Sequence, residues 1–406
     1  MCNCCPPTVN ALFCLWVRSG CSKASVAGAL TFFPPDPALY KFQRYSSNGD
    51  PLPDHGDDKE SIEYDDDGNM VSSNRTGMRP AAESMRSPTS NSMQREYITD
   101  ETGRRRPAPM SKKKKEENVH PAQALTDRIL ALRKKAKSVN ERDARDDAAG
   151  VTYEFIADPR LATPPSYSGD IEAVKIGPHP KTKNYVAALI YRVRPSKMTS
   201  KTKTVIYSHG NATDVGAMYY MQILIAKGLQ CNVIVYDYSG YGESGGIPLE
   251  HNTYNDIEQV YDYAVKNVVQ NADERQIVIY GQSVGSGPSC YICTKKPNVG
   301  GLILHSPFMS GMRVLTPSRA LACLDIFPNI NRITNVKCPV MIIHGVLDEE
   351  VHISHGRALH DAVPENQKRN PWWVSDRGHN DITEGRVKLI EYIQRLKGFF
   401  ESLDRS

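Results

Sequence analysis

The chain has 406 residues, 40% of them hydrophobic and 28 of them glycine, a composition within the range of soluble globular proteins. That excludes a collagen, a coiled coil and a polytopic membrane protein. Lys and Arg number 50 against 46 Asp and Glu, a net charge of +4, too balanced for nucleic acid to be the main partner, because phosphate binding needs a dense one-sided basic surface.

In chain order, residues 1–40 come first and hold five of the ten cysteines, Cys2, Cys4, Cys5, Cys14 and Cys21. The apolar run over 11–17 is too short to span a bilayer, which takes about 20 residues, but it can dip into one leaflet. A secretory signal fits poorly, since no positive charge precedes the run and Pro6 and Pro7 interrupt it. Cys2 in place of glycine after Met1 rules out myristoylation. Thiols beside Leu12, Phe13, Leu15 and Trp16, with Arg18 and Lys23 following, suit reversible S-palmitoylation at Cys2, Cys4, Cys5 and Cys14. Each acyl chain adds about 0.8 kcal/mol per buried methylene, and two chains hold a protein on a membrane stably. Zinc ligation is the rival reading, but no histidine occurs before His55.

Residues 41–150 are polar, with an acidic patch from Asp57 to Asp67 and basic runs at 104–106 and 112–115. Without apolar periodicity they cannot bury a core, so a mostly disordered linker is expected. The exception is a short basic amphipathic helix after Pro121, with Leu125, Ile129 and Leu132 at helical spacing and Arg133, Lys134, Lys135 and Lys137 following. Such a helix would lie on an anionic membrane or dock on the folded domain.

From 151 to 406 short β-branched runs alternate with helix-length segments. Strands are predicted at 171–176, 185–193, 204–208, 231–237, 276–281, 301–305, 339–345 and 372–375. Runs such as VIVYD and GLILH are apolar on both faces, as central parallel strands are when helices cover both sides. The expected fold class is α/β: about eight mostly parallel strands with helices on both faces, in one domain of 151–406. Cys231, Cys290, Cys293, Cys323 and Cys338 fall in its apolar stretches and read as reduced core thiols of a cytosolic protein.

The strand QIVIY runs directly into Gly281-Gln282-Ser283-Val284-Gly285 and then a helix-compatible stretch. So tight a strand-to-helix turn strains the serine backbone and presents its hydroxyl, and glycines two residues away on each side avoid clashes. A serine hydroxyl needs a base, and the base needs an orienting carboxylate. Asp348 follows the strand PVMIIHG, and His379 follows the strand WWVS, so acid and base both fall on loops past strand ends, in the order serine, acid, histidine. His209, His305 and His344 are expected to be structural, and His352, His355 and His360 exposed. Asp381 with Glu384 suits the N-cap of the last helix. The two oxyanion donors are assigned to the amide of Val284 and to that of Asn211, with Ala212 as its alternative. Tyr238 is a candidate for lining the pocket or for packing behind the serine turn. Phe308, Met309 and Met312 are candidates for an acyl channel or for packing. No metal and no cofactor is called for.

The segments HGNATDVG, DYSGYGESGG, YGQSVGSGP, LHSPFMSGMRV, HGVLDEEV and GHNDI, in that order, together resemble the α/β-hydrolase domain-containing 17 family. That family consists of membrane-bound serine hydrolases that remove palmitate from cysteines of other proteins. The likeness runs from about 171 to 400 and extends to the N-terminal cysteines and to residues 30–35, LTFFPP. It implies an α/β-hydrolase fold, a catalytic triad of Ser283, Asp348 and His379, and palmitoyl-protein thioesterase activity on S-palmitoylated membrane proteins. A peripheral, lipid-anchored place on the cytoplasmic face of plasma or endosomal membranes follows, for a chain expected to be monomeric. A lipid esterase or serine peptidase of the same fold, or a lipid-anchored adaptor without catalysis, are the alternative readings. The 41–150 segment departs from the family pattern.

Overall fold

The computed structural model describes residues 31–53, 63–64, 70–71, 97–99, 105–107, 121–315 and 325–404. Cys2, Cys4, Cys5 and Cys14 lie outside the described residues. The chain divides into two units, Met1–Pro53 with Ala122–Ser406, and Asp54–Pro121. In the second unit the described residues form two short antiparallel ribbons, Glu63–Tyr64 with Met70–Val71 and Tyr97–Thr99 with Arg105–Pro107.

The first unit is built on one sheet of ten strands: β1 (Tyr40–Tyr45), β2 (Thr152–Ala157), β3 (Asp170–Ile176), β4 (Val186–Arg192), β5 (Thr204–Ser208), β6 (Asn232–Tyr236), β7 (Ile277–Gln282), β8 (Gly301–His305), β9 (Val340–Gly345) and β10 (Trp372–Val374). Their order across the sheet is β1-β2-β3-β4-β6-β5-β7-β8-β9-β10, parallel from β6 through β10 and antiparallel from β1 to β6. The eight strands expected from the sequence are all present, and together they give the α/β-hydrolase fold.

Period-two alternation builds two apolar layers, because successive side chains of a strand point to opposite faces. Ile206, Ile234, Ile279, Leu304 and Ile342 enter one layer. Their neighbours Val205, Val235, Tyr280, Ile303 and Ile343 enter the other. Helices α2 (Val215–Leu229) and α8 (Arg386–Leu403) cover the second layer with Ile223, Ala226, Leu396 and Phe399. Helices α3 (Glu250–Asn267), α4 (Ser286–Lys295) and α7 (Ser354–Ala362) cover the first with Ile257, Val260, Ile292 and Leu359. Cys231, Cys290, Cys293 and Cys338 are buried free thiols. Burial pushes the Cys290 thiol up to about 12, away from the reactive thiolate.

The structure corrects the linker expected over 41–150 at both ends. Tyr40 and Phe42 are buried on β1, an aromatic alternation that pairs antiparallel with β2. At the other end a helix runs over 28 residues, α1 (Pro121–Ala148), well beyond the short helix expected. Its last turns dock through charge. Arg44 forms an ion pair with Asp146, Lys175 Nζ lies 2.9 Å from Asp143 Oδ2, and Arg142 Nη2 lies 3.0 Å from Glu243 Oε2. Tyr185 donates to Asp147 at 3.0 Å. Lys175 is 3% exposed and Asp143 is fully buried, so either charge without its partner would be costly. In the chain between α4 and α7 lie α5 (Gly311–Leu315) and α6 (Asn329–Arg332), which flank the undescribed residues 316–324.

Candidate active site

Strand register brings the loops together. β5 and β7 pair Ser208 with Gly281, so the loop starting at His209 leaves the sheet level with Gln282 and Ser283. β9 and β10 pair Gly345 with Val374, and the two loops beyond them stay zipped by Val346 N to Val374 O at 2.8 Å and Leu347 N to Arg377 O at 2.9 Å.

At the end of β7 the chain turns into a single 3-10 turn, Ser283–Gly285, and then α4. Ser283 has φ +49°, the left-handed region that non-glycine residues occupy at a cost of about 1–2 kcal/mol. Both glycines of the motif are required by contact. A Cβ on Gly285 would fall 2.1 Å from Ser208 O, and one on Gly281 would fall 2.5 Å from Ser289 Oγ. The turn is tied further by Ser286 Oγ, which donates to Ser283 O at 2.6 Å.

His379 Nε2 lies 3.0 Å from Ser283 Oγ, and His379 Nδ1 lies 2.7 Å from Asp348 Oδ2. A carboxylate only accepts, so Nδ1 carries the proton and Nε2 is left to accept from the serine hydroxyl. Asp348 Oδ1 accepts from the amides of Glu350 at 3.0 Å and Val351 at 2.7 Å. Burial pushes the Asp348 carboxyl up. Hydrogen bonds from His344, His379 and the Val351 amide outweigh burial and hold it well below the usual carboxylate range. The carboxylate therefore stays ionised wherever an imidazole can act as base. The arrangement is that of a serine nucleophile with base and orienting acid, competent for acyl transfer.

His209, His305 and His344 are buried, as expected of structural residues. His305 Nδ1 meets the Tyr280 hydroxyl at 2.8 Å, and Tyr280 meets Tyr392 at 2.7 Å. Burial lowers the His305 imidazole to about 3 and keeps it neutral. His344 does more than pack. Its Nε2 lies 2.8 Å from Val351 O and 3.1 Å from Asp348 Oδ2, the carboxylate oxygen that also meets His379, so it helps to fix the acid. The sequence offers no separate signal for this, because His344 is one of several strand-end histidines.

Three expectations fail here, one of them at His360, which is half-buried rather than exposed. Asp381 does not cap α8, whose N-cap is Gly385. Its Oδ1 accepts from the Gly378 amide at 2.6 Å and so closes the turn that carries His379. His355 is buried rather than exposed, and its Nδ1 accepts from the Met309 amide at 3.1 Å.

On the oxyanion side, Val284 is the second residue of the turn after the nucleophile, where amides lack partners within the helix. Ala212 N donates to Asn211 Oδ1 at 3.1 Å. That bond occupies the alternative donor and leaves the Asn211 amide, for which no hydrogen bond is found among the described residues. Gly210 places this loop against the nucleophile, since a Cβ there would sit 3.9 Å from Ser283 Cβ.

The substrate-binding candidates are placed as packing residues. Tyr238 is buried, its hydroxyl donating to His209 O at 2.5 Å and its ring 4.4 Å from the His209 ring, so it supports the loop that leaves β5 rather than lining an open pocket. Phe308 is buried against Phe327, ring centroids 6.2 Å apart. Its carbonyl accepts from Asn329 Nδ2, which also donates to Ser286 Oγ, both at 3.1 Å. Met309 is half-buried, and the Met312 amide donates to Asp325 at 2.9 Å. Among the described residues no group of three or more His, Cys, Asp and Glu side chains is arranged to hold a metal ion.

Residues 199–330 match the family described as serine aminopeptidase, S33. The chain is 40% identical over 218 residues to human alpha/beta hydrolase domain-containing protein 17B, covering 53% of this chain and 71% of that protein. It is 42% identical over 197 residues to the 17C protein of Xenopus tropicalis, covering 48% of this chain and 61% of the relative. The chain thus spans about three fifths of the length of the Xenopus tropicalis relative that it matches. The solved esterase Pf2001 of Pyrococcus furiosus superposes with a TM-score of 0.47 at 18% identity, over 59% of this chain and 99% of the esterase.

Proposed function

This chain belongs to the alpha/beta hydrolase domain-containing protein 17 family, and on that premise we propose that it is a serine hydrolase removing palmitate from S-acylated cysteines of membrane proteins. The observation that carries the hydrolytic part is the run of contacts from Ser283 Oγ to His379 at 3.0 Å and on to Asp348 at 2.7 Å. Ser283 Oγ attacks the thioester carbonyl while His379 takes its proton, and the amides of Val284 and Asn211 hold the oxyanion. The C–S bond breaks, the cysteine sulfur leaves with the proton from His379, and an acyl-serine remains. Water, deprotonated by His379, attacks that ester, releasing the fatty acid and restoring the serine. A thiol leaving group, with pKa of about 8.5, departs more readily than an alkoxide, so the triad alone does not exclude oxygen esters.

Selectivity then comes from place. Acylation of Cys2, Cys4, Cys5 and Cys14 would hold the enzyme on the cytoplasmic face of plasma or endosomal membranes as a peripheral monomer, beside its lipidated substrates and at raised effective concentration. No described helix is long and apolar enough to cross a membrane. Changing these four cysteines to serine should move the protein from the membrane pellet to the soluble fraction. Cleavage of a water-soluble thioester should persist. An unchanged pellet fraction would refute the anchor.

The substrate class is tested with purified protein, a palmitoyl-cysteine peptide, an oxygen-ester lipid and an aminopeptidase substrate. Turnover of the palmitoyl peptide at the highest kcat/KM is expected. Ester or peptide turnover without thioester turnover would replace this reading with a lipid esterase or peptidase.

A further inference from the structure

The segment that enters the fold at Thr31 is fastened to the loop assigned to the oxyanion. Asn211 Nδ2 donates to Thr31 O at 2.6 Å. Asn211 Oδ1 accepts from the Phe33 amide at 3.0 Å and from the Tyr241 hydroxyl at 2.7 Å. The Tyr241 hydroxyl also accepts from the Phe33 amide, at 3.2 Å. Between these polar contacts Phe32 is 1% exposed, edge-on to Tyr241 at 6.3 Å and to Phe327 at 5.9 Å. One side chain therefore clasps a segment about 180 positions away in the chain, and it belongs to the residue whose main-chain N–H has no hydrogen bond among the described residues.

A second observation concerns strain. Ala212, the next residue, has φ +52°. An alanine holds that conformation only where its surroundings impose it, and such residues gather where a backbone group must point in one direction. Asn211 Oδ1 accepts the Ala212 amide at 3.1 Å and so orients the peptide that leads into it, and the 31–33 segment with Tyr241 fixes Asn211 Oδ1 in turn. An oxyanion donor is effective only when preorganised toward the place where charge develops.

Resting on the hydrolase reading above, we infer that the Asn211 side chain and residues 31–33 position the Asn211 N–H for the transition state. The stretch joining the proposed lipid anchor to the domain is thereby part of the machinery of acyl transfer rather than a passive tether. Phe32 seats the strap, the Thr31 and Phe33 main chains grip Asn211, and Asn211 sets the direction of its own amide.

The test uses the full chain and a water-soluble octanoyl thioester. Asn211→Ala keeps the amide but loses the clasp. Its kcat should fall roughly 10- to 100-fold, short of the 10²- to 10³-fold typical of deleting a donor, with KM within about twofold. Affinity for a trifluoromethyl ketone, which forms an oxyanion on Ser283, should fall by the same factor. Affinity for an uncleavable thioether analogue should hold. Phe32→Ala should shift kcat in the same direction, and Tyr241→Phe, nearly isosteric, by about threefold. Should Asn211→Ala fail to fold, Tyr241→Phe carries the test. Folded variants with kcat and trifluoromethyl ketone affinity both at the parent level would overturn the inference. Retention of full turnover by Ser283→Ala would instead sink the hydrolase reading on which it rests.

Discussion

Replacing Ser283 by alanine should lower kcat for any acyl substrate by on the order of 10⁶, the scale seen when a triad nucleophile is removed. Only the Oγ contact to His379 at 3.0 Å is lost. The backbone at 283 stays in the same left-handed conformation, φ +49°, and alanine has the same Cβ to accommodate there, so the melting temperature should stay close to that of the parent. Labelling by a fluorophosphonate probe should disappear with the activity. A folded Ser283→Ala protein that still turned over substrate within tenfold of the parent would show that this hydroxyl is not the nucleophile. A parent chain that resisted the probe while binding membrane partners would favour the adaptor reading.

The second large effect is expected from Asp348→Asn, a change of one atom. The carboxylate accepts four hydrogen bonds, from His379, His344 and the amides of Glu350 and Val351. An amide in its place must turn NH₂ toward either the Glu350 and Val351 donors or the two imidazoles. Toward the main chain it would set donor against donor. Toward His379 it donates to Nδ1 and shifts the imidazole proton to Nε2, which then faces the serine as a donor instead of a base. The expected loss is on the order of 10⁴ in kcat with little change in KM. Burial alone would raise the acid, and its hydrogen bonds hold it low. The parent should therefore keep this carboxylate charged well below pH 5, and Asp348→Asn should lower kcat by a similar factor across the neutral range rather than merely shift the pH profile. A variant within tenfold of the parent would show that Asp348 does not set the tautomer of the base.

Much of this site is visible in the linear chain because its logic is local. The elbow is six residues of strand, one turn and a helix, and the glycines at 281 and 285 declare the close approach that the turn imposes. Strand ends followed by loops placed Asp348 and His379 for the same reason: in a parallel sheet, every strand of this kind delivers its loop to one edge. Eleven histidines are present, several of them at strand ends, and His379 was separated from those by falling after Asp348 in the order serine, acid, histidine. The same reasoning misjudged Asp381, where a capping pattern was read for a residue that closes the His379 turn, because D-x-x-E records spacing but not the partner.

Period-two apolar runs, the order of serine, acid and histidine, and the thiols in apolar stretches are properties of neighbouring residues, and they carried the fold class and the triad without coordinates. The clasp of Asn211 on residues 31–33, the pairing of Arg44 with Asp146 and of Lys175 with Asp143, and the packing of Tyr238 and Phe308 emerged only once the chain was folded. The clasp and the two ion pairs join segments from about 30 to 180 positions apart through polar or charged groups, and a polar stretch in a sequence looks the same whether it is solvated or paired. Burial and partner, rather than residue type, decide between the two, and both are consequences of which segments the sheet brings together.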